Sequence, residues 1–319
     1  MKVKTSGDSI KVMDNRKFSI FDAIGNTPLV ELKNLNGNPR VKILGKLEGS
    51  NPGGSVKDRP AYYMIIKAEE SGKLTKDKTI VEPTSGNMGI ALAMIGAAKG
   101  YRVKLFMPEC VSTERQRTLA ALGAEVMLTP ADEGTDGCIT RARQLVAEEP
   151  DKYYMPNQFD NDANVLAHYE TTGPEILSQT NGEVDIFVAG MGTTGTLMGT
   201  GKYLKEKKPG MKIVAIEPTV GHTIQGLKNM NESIVPKIYR PEIFDEKVAV
   251  EDEEAFETTR LLAVKEGLFV GMSSGAAAAG ALHIAKNLNS GTIVVILPDR
   301  GDRYLSTTLF RSFCAKCPP

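Results

Sequence analysis

Short apolar runs alternate along this chain with longer stretches in which apolar positions recur at helical spacing. The runs at Val41 to Leu44, Thr79 to Glu82, Val103 to Met107, Glu125 to Leu128, Asp185 to Ala189, Lys212 to Ile216 and Thr292 to Leu297 read as strands. Between them, sets such as Ala61, Met64, Ile65, Ala68 and Ile90, Ala91, Ala93, Met94, Ala97, Ala98 read as helices, the second built from small side chains. Strands alternating with helices predict parallel sheets covered on both faces, a doubly wound α/β plan. No period of 20 to 50 residues repeats, and no segment is of low complexity. A chain of 319 residues exceeds one ordinary core, so two domains are expected. A crossing near Asn157-Gln158-Phe159-Asp160-Asn161 would place 50–160 in a smaller mobile unit and 1–49 plus 161–319 in a larger one.

Three junctions in this pattern carry candidate chemistry. Asn51-Pro52-Gly53-Gly54 reads as a turn, and Pro60 suits the first turn of a helix, so Lys57 falls at a loop-to-helix junction open to a ligand. Most lysines are solvated. Desolvation at such a place would instead lower the amine's pKa and free it as a nucleophile. The run Thr79 to Glu82 opens into Pro83-Thr84-Ser85-Gly86-Asn87-Met88-Gly89, a polar glycine-bearing turn at the carboxyl end of a strand, where open α/β sheets bind ligands. Val184 to Gly190 opens into Met191-Gly192-Thr193-Thr194-Gly195-Thr196, where bared backbone N–H groups, threonine hydroxyls and a helix's positive end make a cup for phosphate. Its spacing fails both G-x-G-x-x-G and the Walker pattern, which lowers the dinucleotide and nucleoside-triphosphate readings. A reactive lysine, an asparagine-bearing polar loop and a phosphate cup are together what pyridoxal 5'-phosphate needs: an amine for its aldehyde, a hydrogen bond for its ring oxygen and donors for its phosphate.

The motifs Ile24-Gly25-Asn26-Thr27-Pro28-Leu29-Val30, Ser50 to Pro60 around Lys57, Pro83-Thr84-Ser85-Gly86-Asn87, His168-Tyr169-Glu170-Thr171-Thr172-Gly173-Pro174-Glu175-Ile176, Gly192-Thr193-Thr194-Gly195-Thr196 and Gly271-Met272-Ser273-Ser274-Gly275 occur in this order from about Ile20 to Phe310. Together they resemble the cysteine synthase family, the β-replacement group of fold-type II pyridoxal phosphate enzymes. The Gly192-Thr193-Thr194-Gly195 form and the ending Asp299 to Thr307 look closest to its B-type branch. The resemblance implies two doubly wound α/β domains, tryptophan synthase β-like, with the cofactor in the cleft between them and anchored by the larger one.

By the same resemblance Lys57 is the cofactor-linked lysine and catalytic base, Asn87 the partner of the ring oxygen, Gly192, Thr193, Thr194, Gly195 and Thr196 the phosphate site, and Ser273 the residue facing the pyridine nitrogen. A neutral hydroxyl there cannot keep that nitrogen protonated as a carboxylate would; the same serine could also cap the helix that follows. Thr84, Ser85, Gly86, Asn87, Met88, Gln158 and Gly226 are the expected substrate contacts. Met88 departs from the family's usual threonine, and a thioether donates no hydrogen bond. The implied reaction is β-replacement of O-acetyl-L-serine by sulfide to give L-cysteine. Family members that accept O-phospho-L-serine place a basic side chain where Lys228 stands, which keeps that donor open; a bare loop lysine is the plain alternative. Cystathionine synthesis, cysteine desulfhydration through the same elimination step, and a binding scaffold that docks a serine acetyltransferase peptide are the remaining alternatives.

Charge and composition add little. Lys plus Arg equals Asp plus Glu at 39 each, so no electrostatic pull toward nucleic acid or an acidic membrane is expected. No run approaches a membrane span, and the polar start Met1-Lys2-Val3-Lys4-Thr5-Ser6 lacks a signal-peptide core, which makes the cytoplasm the expected compartment. Cys110 and Cys138 read as reduced packing residues, and Cys314-Ala315-Lys316-Cys317 as a tail without a second pair for zinc. No metal is expected, and a homodimer is implied by the family alone.

Overall fold

The computed structural model describes residues 19–84 and 86–311. Ser85, Cys314 and Cys317 lie outside the described residues, as does the polar start. The described chain opens with β1 (Leu29–Glu31) and β2 (Val41–Leu47), then runs through α1 (Asp58–Glu70), β3 (Thr79–Pro83), α2 (Asn87–Lys99), β4 (Arg102–Pro108), α3 (Thr113–Ala121), β5 (Glu125–Thr129), α4 (Gly134–Glu148) and β6 (Tyr153–Tyr154). It continues through α5 (Asp162–Ala167), α6 (Gly173–Gln179), β7 (Ile186–Gly190), α7 (Gly195–Lys207), β8 (Lys212–Pro218), β9 (Glu246–Val250), α8 (Asp252–Glu266), α9 (Met272–Asn287), β10 (Gly291–Leu297) and α10 (Thr308–Arg311).

The strands form two sheets. One has six strands in the order β1-β2-β10-β7-β8-β9 and the other four in the order β5-β4-β3-β6. Among the described strands the β1–β2 pair is antiparallel and the other pairs are parallel. Each of the seven expected strands is found, so the doubly wound plan holds. The three that the pattern did not predict, β1, β6 and β9, are short or lie at a sheet edge.

Period-two alternation explains why both faces of the larger sheet are covered. Ile186, Val188, Ile293 and Val295 point into a core shared with Phe256 and the alanine-rich α9, while Phe187, Ala189, Val294 and Ile296 point into another with Met198 and Leu204 of α7. Each fully buried Ile, Val or Phe contributes about 1.5–3 kcal/mol. The smaller sheet repeats the device, with Ile80, Val103 and Leu105 against α1 and α2, and Val81 and Phe106 against Cys138 and Ala142 of α4. Between α5 and α6 a π turn, His168–Thr172, carries a buried histidine. In parallel sheets the helices after β3 and β7 begin at the carboxyl ends of those strands, which brings the starts of α2 and α7 to a common cleft.

Candidate active site

That cleft holds a cavity of about 430 Å³ lined by residues of both sheets' carboxyl ends. Lys57, Thr84, Asn87, Met88, Gln158, Gly192, Thr193, Thr194, Thr196, Gly226, Lys228 and Ser273 all line it. Residues 216 positions apart in sequence, Lys57 and Ser273, thus share one wall system. Gly86 and Gly195 do not line the cavity; they shape the helix starts behind it.

Lys57 is the residue on which α1 begins. Its amine makes no hydrogen bond or ion pair with any described residue. Burial pushes its pKa down to about 8, against a smaller opposing pull from Asp299. By exposure the side chain is half-buried, and it lines the cavity rather than the outer surface. Asn87 is held on both ends of its amide: its Nδ2 donates to Asp299 Oδ2 at 2.7 Å and its Oδ1 accepts from Arg303 Nη1 at 2.5 Å. Asp299 also accepts from the Tyr304 hydroxyl at 2.7 Å. One N–H of Asn87 remains for a ligand. Asp299, Arg303 and Tyr304 were visible in the sequence only as part of the terminal motif, with no role attached.

The substrate side of the cavity is built from hydrogen bonds that leave donors over. Thr84 Oγ1 accepts the backbone N–H of Gly86 at 3.0 Å and of Gly89 at 3.2 Å, so its own proton is free. Buried Glu82 accepts the N–H of Asn157 at 2.8 Å and of Gln158 at 3.0 Å, fixing the chain crossing at that point. Burial pushes the Glu82 carboxyl up to about 7 in spite of these donors. Gln158 donates from Nε2 to the carbonyl of Pro83 at 3.3 Å. Met88 is buried at the first turn of α2. That turn offers its backbone N–H groups, which suits a carboxylate.

Opposite stands the cup. Thr194 occupies the left-handed region at φ +70° and precedes the first residue of α7, a conformation costing about 1–3 kcal/mol for a non-glycine residue. Its Oγ1 is buried without a partner in the protein, and the residue lines the cavity. Gly192 must be glycine, because a Cβ there would sit 2.5 Å from the carbonyl oxygen of Gly226. Gly195 must be as well, since a Cβ there would meet the side chain of Asn164. Thr193 Oγ1 accepts from Asn164 Nδ2 at 3.1 Å, and Thr196 Oγ1 lies 3.2 Å from His168 Nε2. Burial, with Arg59 next in effect, drives His168 down to about 3, so it is neutral.

Ser273 does not cap its helix. The cap position of α9 is Gly271, and Ser273 sits in the first turn with its side chain on the cavity. Lys228 is not a bare loop lysine. Its side chain is 13% exposed and its nearest carboxylate is Asp136 at 3.9 Å. Cys138 is buried as expected, whereas Cys110 is exposed and lines the cavity. Among the described residues no cluster of three or more His, Cys, Asp or Glu could hold a metal, and no helix is long and apolar enough to cross a membrane.

The chain matches the pyridoxal-phosphate dependent enzyme family over residues 20–299 and belongs to it. Within that family it is similar to cysteine synthase B of Pseudomonas aeruginosa, 45% identical over 92% of this chain and 97% of that protein. A cysteine synthase of Staphylococcus aureus is 46% identical over 94% of this chain and 98% of its own length. The crystal structure of cysteine synthase from Entamoeba histolytica superposes with a TM-score of 0.87 at 40% identity, covering 98% of this chain and 94% of that one. The cofactor is pyridoxal phosphate, and the cavity's donor set fits it: a free amine, an oriented amide and an unsatisfied threonine in a helix-start cup.

Proposed function

We propose that the cleft makes L-cysteine from O-acetyl-L-serine and sulfide by β-replacement. One observation carries this reading. An unpaired lysine amine, held near a pKa of 8, shares a single cavity with a threonine-lined helix start whose Thr194 hydroxyl has no partner in the protein. Bound pyridoxal phosphate supplies the electron sink that acidifies the substrate's α-hydrogen and lets the β-substituent leave. Lys57 Nζ removes that proton and later returns it, a task suited to a base whose pKa lies near the working pH. Thr193, Thr194 and Thr196 with the start of α7 bind the phosphate. Asn87 orients the ring from its oxygen side and Ser273 meets the ring nitrogen with a neutral hydroxyl. Thr84, Gln158 and the first turn of α2 hold the substrate carboxylate; with Met88 in place of a hydroxyl residue, backbone carries more of that grip.

The unit containing the four-stranded sheet, about 50–160, would swing against the remainder to exclude water during the elimination. A homodimer, a cytoplasmic setting and a serine acetyltransferase partner belong to the same reading and rest on the likeness to the family.

O-Phospho-L-serine is the second donor, favoured by one observation. The Lys228 amine lines the cavity, mostly enclosed, with no hydrogen-bond acceptor of its own among the described residues. Burial lowers its pKa, and a phosphate dianion would restore the lost charge stabilisation. Side-by-side turnover with sulfide tests both donors. O-Acetyl-L-serine should be used by wild type and Lys228→Ala about equally. O-Phospho-L-serine should lose about tenfold in kcat/KM on removal of the cation. Equal losses on both donors would reject the phosphate role of Lys228, and no turnover of either donor would reject the cysteine synthase reading.

A further inference from the structure

The cup and the substrate grip are joined by a residue that does not line the cavity. Asn164, on α5, is wholly buried. Its Nδ2 donates to the backbone carbonyl of Gln158 at 2.8 Å and to Thr193 Oγ1 at 3.1 Å. A carbonyl oxygen only accepts, so the Gln158 contact fixes which end of the Asn164 amide is nitrogen. Thr193 must then accept as well. A hydroxyl that accepts from behind has its single proton left to give, and that proton is free to turn into the cup.

We propose that Asn164 is a positioning residue that makes the Thr193 hydroxyl a committed donor to the cofactor phosphate and, through the same nitrogen, ties the cup to the Gln158 segment of the substrate site. The inference rests on the phosphate role of Thr193 given above. The tie continues beyond Gln158: its N–H and that of Asn157 are held by Glu82, at the end of β3, immediately before the Thr84 loop. A hydrogen-bonded path therefore runs Thr193, Asn164, Gln158, Glu82 across the cleft. The Asn164 Oδ1 packs against Gly195 with no hydrogen-bond partner, and a Cβ on that glycine would lie 2.1 Å away. The side chain cannot flip there to present its oxygen to Thr193 without losing the Gln158 bond.

Removing Asn164 deprives the Gln158 carbonyl of its partner and leaves the Thr193 hydroxyl without the donor that commits its proton to the cup. Asn164→Ala should weaken pyridoxal phosphate binding to the full-length protein about tenfold, the effect of one hydrogen bond to a charged group. Binding of pyridoxal, which lacks the phosphate, should change less than about twofold, and KM for O-acetyl-L-serine should rise because Gln158 loosens. Asn164→Asp keeps the volume but takes the threonine's proton and adds a negative charge beside the phosphate, so its loss should be greater; it is measured in place of the alanine variant if that one does not fold. Thr193→Val separates the two layers of the argument. If it leaves cofactor affinity unchanged, the phosphate role of Thr193 is wrong. If it weakens affinity while the Asn164 variant binds as wild type does, or if pyridoxal and its phosphate lose equally in the Asn164 variant, the positioning role is overturned. In the double variant Thr193→Val with Asn164→Ala, the proposal requires no further loss beyond Thr193→Val alone.

Discussion

Lys57 and Arg59 stand two residues apart at the start of one helix, and the protein treats their charges in opposite ways. Arg59 is 1% exposed and gripped by two carboxylates: Nε and Nη2 donate to Glu48 at 2.7 and 2.8 Å, while Nη1 and Nη2 donate to Glu175 at 2.6 and 2.7 Å. Lys46 closes the knot, donating to Glu175 at 2.7 Å and to the Thr27 carbonyl at 2.6 Å. Burial works against the charges here, but Glu48 and Glu175 outweigh it for Arg59, whose pKa rises, and Arg59 outweighs it for Glu48, held at about 2. Lys57 has no such partner, and burial prevails. A forked guanidinium held between two carboxylates is a fixture. A lone amine with a lowered pKa and no acceptor is free to react. Burial alone therefore does not distinguish a structural cation from a catalytic one; the count of acceptors around it does.

The largest effect expected from this contrast is on turnover. Lys57→Ala should lower kcat by about 10⁴-fold, the upper range for loss of a positioned proton-transfer group, while thermal stability at neutral pH should hold or rise, because no bond is broken and the cost of burying the charge is removed. Arg59→Met should do the reverse. It strands Glu48 and Glu175 in the interior and should cost about 3–5 kcal/mol in unfolding free energy, read by denaturant titration. A substitution at Arg59 that spared stability and abolished only chemistry would erase the distinction.

The third effect is smaller and lies in pH. In the cofactor-free protein the folded Lys57 titrates near 8, against 10.5 for an ordinary lysine. Between those values the unfolded chain binds more protons than the folded one, so stability should rise as pH climbs through this window. The contribution is at most about 3 kcal/mol, from 1.36 kcal/mol per pKa unit, and it should vanish in Lys57→Met. A flat profile in wild type would mean that the amine is solvated.

Much of this was legible before the fold was known, for reasons that differ by region. The central strands announced themselves because both of their faces are buried, leaving unbroken apolar runs such as Ile293 to Leu297. β9, at a sheet edge, alternates Glu246, Lys247, Val248, Ala249 and Val250, a pattern too mixed and short to separate from loop. Lys57, Asn87 and the Thr193 to Thr196 cup were legible because glycine-bearing turns at strand ends have few uses. Arg59, Glu48, Asn164 and Asp299 were not, since their roles are defined by partners far away in sequence: Asn87 meets Asp299 across 212 positions and Arg59 meets Glu175 across 116. Spacing within a motif cannot report such pairings. The capping alternative for Ser273 fails because the helix cap falls two residues earlier, at Gly271, and Cys110 is exposed because an apolar flank does not by itself bury a side chain.

Reductive fixation of pyridoxal phosphate with borohydride, followed by peptide mapping, tests most directly whether an amine without acceptors is what the cofactor meets. The label should fall on Lys57 alone. A label on Lys46, inside the ion-pair knot, on Lys228 at the far wall, or on no lysine at all would contradict the account.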